Sequence, residues 1–158
     1  MDLTLAARDG TMLAATLFEP SAPNGGAVLL NSGTGIARQF YGAFAAHLAS
    51  RGFAVLTYDY RGIGGSASPA GATMEDWGAV DQASMLDHLA RLAPGASPAV
   101  IGHSFGGQVL GLADNIGGVR AAVLICSQSG HWRHWPRGRR RLRMLALWWL
   151  LIPGLTAL

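Results

Sequence analysis

Four apolar runs, Ala27–Leu30, Ala54–Tyr58, Ala99–Ile101 and Ala122–Ile125, cross the chain with almost no polar alternation. A strand with one wet face alternates apolar and polar residues; these do not, so both of their faces must be covered. Between them, apolar residues recur at helical spacing over Phe40–Ser50, from Met74 to about Leu92, and from Phe105 to about Asn115. Strands alternating with helices specify a parallel sheet sandwiched between helical layers. Ahead of them, Leu3–Ala6 and Met12–Phe18 flank Arg8-Asp9-Gly10, a hairpin turn sequence. The expectation is an α/β chain with a mostly parallel sheet of about six strands. It begins with an antiparallel hairpin, carries helices on both faces and ends at an exposed sixth strand.

With 158 residues, 50% of them hydrophobic and 13% charged, and no internal repeat, the chain is sized for one domain. All 12 basic residues are Arg, which excludes Schiff-base, pyridoxal-phosphate and Walker-loop chemistry, since each needs a lysine. The single cysteine, Cys126, rules out an internal disulfide and a cysteine-rich zinc site. It closes an apolar run and reads as a small buried residue. One cysteine fits a reducing compartment, and Asp2 stands where a secretory signal would carry a basic residue, so the expected location is cytoplasmic. Charge divides unevenly: residues 1–118 carry five Arg against nine acids, a net of −4, whereas residues 119–158 carry seven Arg and no acid. Six of those seven lie between Arg133 and Arg143, followed by an uncharged apolar stretch, Met144 to Leu158. That stretch of 15 residues, interrupted by Pro153-Gly154, is shorter than the roughly 20 a membrane span requires.

Gly102-His103-Ser104-Phe105-Gly106 fits G-x-S-x-G, and it lies between a buried-strand signal and a helix signal. This is the strand, sharp turn, helix context of a nucleophile elbow, in which a strained backbone lifts a serine hydroxyl clear of the sheet. Side chains two residues before and after the serine would collide with the neighbouring strand and helix, hence Gly102 and Gly106. The following helix aims its free amides at the reacting centre, so the Phe105 N–H is a natural donor to a developing oxyanion.

Two further segments stand in order around this motif. Asn31-Ser32-Gly33-Thr34-Gly35 follows the third strand, and Asp59-Tyr60-Arg61-Gly62-Ile63-Gly64-Gly65-Ser66 follows the fourth. With these residues the chain resembles the α/β-hydrolase superfamily, and within it bacterial serine-aminopeptidase-like and lysophospholipase-like hydrolases. The resemblance implies hydrolysis of an ester, or secondarily an amide, by attack of Ser104 and passage through an acyl-enzyme. The substrate would be a small ester or acyl compound, with no cofactor, no metal and no nucleic-acid partner. Asn31-Ser32-Gly33 replaces the usual His-Gly, which leaves Gly33 and Thr34 both open as the second oxyanion donor. Residues 1–128 would form the N-terminal part of the hydrolase core, and 129–158 the start of an incomplete helical cap. The family's acid and histidine follow the serine in that order. After Ser104 the acid present is Asp114, and His131 and His134 stand before the expected acid position. No normal triad can be assembled, so the expectation is a C-terminally truncated, weakly active or inactive hydrolase whose open sheet edge could self-associate.

Other residues read more plainly. Asp59 is expected to be structural and paired with Arg61; His103 is expected to pack beside the nucleophile. His131 and His134 lie three apart, but with arginines rather than carboxylates nearby they make a poor metal site. Two other function classes compete with the hydrolase. One is a non-catalytic interaction or membrane-surface module using residues 131–158, whose Arg and Trp content suits weak contact with anionic lipid. The other is a dinucleotide-binding oxidoreductase with Gly33-Thr34-Gly35-Ile36-Ala37-Arg38 as fingerprint and Asp59 as ribose acid, although Arg38 stands where a third glycine belongs.

Overall fold

The computed structural model describes residues 1–129, 132–134 and 137–147. Six strands, β1 (Asp2–Ala6), β2 (Met12–Phe18), β3 (Gly26–Asn31), β4 (Ala54–Tyr58), β5 (Ser97–His103) and β6 (Ala121–Ile125), form one sheet in the order β1-β2-β4-β3-β5-β6. β1, β2 and β4 pair antiparallel, and β4, β3, β5 and β6 run parallel. The sheet is the one read from the apolar runs. Its hairpin turn closes through Ala7 N–H to Thr11 O at 2.8 Å and Gly10 N–H to Ala7 O at 2.9 Å, with Gly10 at φ 85°.

The chain moves from β3 to β4 on one side, then crosses to place β5 on the other side of β3. Where the winding direction reverses, the loops leaving adjacent parallel strands diverge and open a crevice at their carboxyl ends. The segments after Asn31 and after His103 meet there, because Asn31 pairs with Gly102 in the last rung between β3 and β5.

Helix α1 (Gly42–Ser50) covers one face, following a 3₁₀ turn, Arg38–Tyr41. Its Ala45 joins Val28, Val55 and Ile101 of the sheet in a small cluster. The opposite face carries the main core, where Leu29, Leu56 and Val100 meet Met85, Leu86 and Leu89. The long helix read from Met74 to Leu92 is present as α2 (Met74–Asp76), a π-helical stretch Trp77–Gln82, and α3 (Ala83–Leu92). The helix expected from Phe105 to Asn115 is broken. α4 spans Phe105–Gln108, a 3₁₀ turn takes Val109–Leu112, and a separate turn takes Ile116–Gly118. Gly106, Gly107 and Gly111 weaken the segment, since each glycine costs about 1 kcal/mol in a helix relative to alanine.

Two buried ion pairs brace the loops after β4. Asp59 is fully buried and pairs with Arg38, which donates its backbone N–H and its Nη1, each at 2.6 Å. Arg61 instead clasps the buried Asp81 through N, Nε and Nη2 at 2.9, 2.8 and 2.6 Å, and reaches Asp9 through Nη1 at 2.9 Å. The expected Asp59–Arg61 pair therefore does not form. A turn over residues 60–63, closed by Ile63 N–H to Tyr60 O at 2.9 Å, begins directly after Asp59, and each charge finds a partner distant in sequence.

Strand β6 differs from the others: all five of its residues are exposed, with Val123, Leu124 and Ile125 at 52%, 55% and 41%. The chain divides into two compact units, Met1–Gln128 and Ser129–Leu158. In the second, α5 (Arg139–Ala146) exposes Leu142 and Met144. His131 and residues 148–158 lie outside the described residues, so the expectations placed on them have no structural counterpart. Among the described residues no helix is long and apolar enough to cross a membrane.

Two substitutions test this framework. Asp81→Ala leaves the Arg61 guanidinium buried without its main partner and is expected to cost about 3–5 kcal/mol in urea unfolding. Thr73 caps α2 reciprocally with Asp76, so Thr73→Ala is expected to cost about 1 kcal/mol. The Thr73 backbone N–H, then its hydroxyl, hold the Asp76 carboxyl below its usual value of 3.8. A carboxyl lowered on folding contributes stability above that value and loses it as pH falls. The gap between wild type and Thr73→Ala should therefore narrow between pH 6 and pH 3.

Candidate active site

Ser104 joins β5 to α4 with φ 51° and ψ −116°, a conformation that L-residues adopt only when the surroundings impose it. The strain is of order 1–3 kcal/mol, and the packing on either side holds it. A Cβ on Gly102 would come within 2.6 Å of the Gly107 backbone. One on Gly106 would drive into the Asn31 backbone and reach 2.7 Å from the Ser32 oxygen. One on Gly107, a position the sequence reading passed over, would strike Ser127. The Ser104 N–H donates to Ile125 O at 2.9 Å, which ties the turn to β6, and Ser127 Oγ donates to Gly102 O at 3.2 Å.

Beneath the turn lies a buried polar network. Asn31 Nδ2 donates to Gln82 Oε1 at 2.5 Å and to Gly106 O at 3.1 Å, while its Oδ1 accepts from the Tyr58 hydroxyl at 2.9 Å. Gln82 Nε2 in turn donates to Leu110 O at 3.2 Å. Asn31 thus carries the underside of α4 from the end of β3. Its one sequence signal is a polar residue closing a buried strand.

The loop after β3 lies beside the serine turn. Gly33 is buried and Thr34 exposed. The Gly33 N–H donates to the Tyr41 hydroxyl at 3.0 Å, and that oxygen lies 2.8 Å from His103 Nδ1. Phe105 packs edge-on against Trp77 at 5.6 Å, and Trp77 stacks on Tyr60 at 4.8 Å. An apolar hollow of about 230 Å³ opens beside His103, lined by Leu30, Phe40, Phe44, Ile101 and Ile125.

The remaining candidates fall elsewhere. Among the described residues, no imidazole or carboxylate is hydrogen-bonded to the Ser104 hydroxyl. Asp114 is drawn to Arg8 at 2.6 Å. Asp59, enclosed with Arg38, has no open side to present to a ribose. Cys126 is exposed rather than buried, with φ 52°, where the chain turns as it leaves a strand whose own residues are exposed. His134 Nδ1 lies 2.7 Å from Ser129 Oγ. Among the described residues no group of three His, Cys, Asp or Glu could hold a metal ion, and His131 lies outside them.

The close approaches at the serine turn set a measurable limit. Gly106→Ala must push backbone against backbone and is expected to lower stability by about 1–3 kcal/mol or more. Gly111→Ala, with nothing within 4 Å of its Cβ, is expected to be neutral or mildly stabilising under the same urea titration.

A family model for serine aminopeptidase S33 matches residues 22–154. No curated protein sequence matches the chain. Among solved structures, the chain is similar to a highly thermostable carboxyl esterase from Bacillus coagulans (TM-score 0.68, 21% identity, 78% of this chain and 43% of that one). It is also similar to DcsB, solved with a substrate analogue (TM-score 0.72, 23% identity, 99% and 54%). A third is a hypothetical protein from Pseudomonas aeruginosa (TM-score 0.70, 26% identity, 92% and 50%). The chain spans about half the length of these structures. With its six-stranded mixed sheet and strained serine turn, the chain belongs to the serine aminopeptidase S33 family of α/β hydrolases.

Proposed function

We propose that Ser104 is the nucleophile of a serine hydrolase acting on a small ester through an acyl-enzyme, and that the chain in this form is weakly active or inactive. The observation that carries the reading is the backbone of Ser104: a serine at φ 51°, flanked by glycines that permit no Cβ, is a costly arrangement that serves to project a hydroxyl. The Phe105 N–H, the first of α4 and next to Ser104 in the chain, has no intrahelical acceptor. It supplies one oxyanion donor. The Gly33 N–H is already bonded to Tyr41, so of the two amides left open by the sequence, Thr34 is the better second donor.

Attack by the Ser104 oxygen on an ester carbonyl forms a tetrahedral oxyanion between these two amides. Collapse expels the alcohol and leaves an acyl-serine, which water then hydrolyses. Both steps need a base to take and return a proton. Among the described residues none touches Ser104, and His103 Nδ1 faces Tyr41 instead. An oxyanion site without its base retains a small part of the acceleration of an intact enzyme, about 10³–10⁴-fold over water.

With p-nitrophenyl acetate, a slow stoichiometric release of p-nitrophenol is expected, and Ser104→Ala should abolish it. Steady turnover at the roughly 10 s⁻¹ of an ordinary enzyme would overturn the weakly active reading. Unchanged release from Ser104→Ala would overturn the assignment of the nucleophile.

A further inference from the structure

We infer that Tyr41 is a positioning residue for the reaction at Ser104: its hydroxyl, backed by His103, clamps the Gly33–Thr34 loop to the serine turn. This rests on Ser104 being the nucleophile. Three segments converge on one oxygen atom: the loop after β3, the 3₁₀ turn eight residues further on, and the last residue of β5, 62 residues beyond Tyr41. The direction of the Gly33 bond follows from valence, and that of the His103 bond from the need to satisfy a buried phenolic proton. A backbone N–H can only donate, so at 3.0 Å the Tyr41 oxygen accepts from Gly33. The phenolic proton is then free for His103 Nδ1, 2.8 Å away, which must accept it with its lone pair. The His103 ring therefore carries its proton on Nε2. The opposite assignment would leave the hydroxyl proton of a residue only 7% exposed without an acceptor.

Aromatic packing supports the clamp. The Tyr41 ring meets Phe40 at 5.1 Å and His103 at 5.9 Å, both edge to face. A Cβ on Gly33 would already stand 3.2 Å from His103 Nδ1, so the loop backbone and the imidazole are in near contact. Burial raises the Tyr41 hydroxyl above its ordinary titration range, against the opposing bond from Gly33, so it remains a donor at neutral and mildly alkaline pH. The orientation of the exposed Thr34 amide is thereby set through Gly33 by the serine turn itself. A donor must lie within a few tenths of an ångström of where charge develops, so a loop released from this clamp stabilises the oxyanion less.

The test uses phenylboronic acid, which forms a tetrahedral adduct on a serine oxygen and places a boron oxygen where the oxyanion would sit. Wild type, Tyr41→Phe and Thr73→Ala are compared, the last being a remote change with a stability loss of its own. Tyr41→Phe is expected to speed exchange of the Gly33 amide at least tenfold, to shift the His103 Nδ1 resonance in ¹⁵N spectra, and to weaken the boronate about tenfold; Thr73→Ala should do none of these. A paired comparison of His103→Asn, whose side-chain oxygen can stand in for Nδ1, with His103→Leu covers failure of Tyr41→Phe to fold. The loss in His103→Asn should be the smaller. Unchanged Gly33 exchange, unchanged boronate affinity in Tyr41→Phe, or equal losses in the two His103 variants would overturn the proposal. Absence of any adduct in wild type would overturn the nucleophile reading and the positioning role with it. The two failures are distinguishable, because Gly33 exchange and the His103 resonance are read without boronate.

Discussion

The fold turns on a contact between two backbones. Gly106, in the first turn of α4, lies so close to Asn31 and Ser32 at the end of β3 that no side chain fits between them. That approach requires β3 and β5 to be parallel neighbours that end in register, and the pairing of Asn31 with Gly102 provides this. It requires β5 to pass into a helix without an intervening loop, which forces the connecting residue to φ 51°. It also leaves Asn31 little choice of partners, so its amide bonds Gly106 and Gln82 directly. Sheet order, turn strain and the buried polar network are consequences of one steric condition, and the crevice at the change of winding is where they meet.

Charge plays a different part. Each of the two buried ion pairs after β4 joins a loop to a segment far away in sequence: Asp59 to Arg38, and Arg61 to Asp81 and Asp9. A buried pair brings little net stability over an apolar substitute, but breaking one partner away is costly. Their effect is to specify. The loop from Tyr60 to Ser66 can close in one arrangement that satisfies both carboxylates, which also seats Trp77 against Tyr60 and its indole N–H on Arg61 O at 3.1 Å. Aromatic packing then continues from Trp77 to Phe105, so the loop after β4 and the turn after β5 share one wall.

Much of this was legible in the residues. Uninterrupted apolar runs such as Ala27–Leu30, alternating with helical periodicity, read as strands of a parallel sheet, and a glycine pair spaced around Ser104 after such a run points to a nucleophile elbow. What escaped is what depends on position in space. The partner of Asp59 could not be read because Arg61, two residues away, was the obvious choice, whereas Arg38 is distant in sequence. Tyr41 gave no signal because a tyrosine at helical spacing is ordinarily core. An apolar strand implies a buried Cys126, yet the residues of β6 and Cys126 itself are exposed. The helix after Ser104 was overextended because apolar periodicity outweighed three glycines that in fact break it.

Strand β6 pairs with β5 yet leaves all five of its residues exposed, so its backbone hydrogen bonds carry much of its attachment. Segments held in this way open at a small fraction of the free energy needed to unfold the whole molecule. The Ser104 amide is bonded to the carbonyl of Ile125 at the end of that strand. A residue held at positive φ is therefore fastened to a strand whose residues are all exposed, and a local opening of β6 would release that tether on the serine. The geometry of the turn is thus linked to the stability of the β5–β6 pairing as well as to the packing around Gly102 and Gly106.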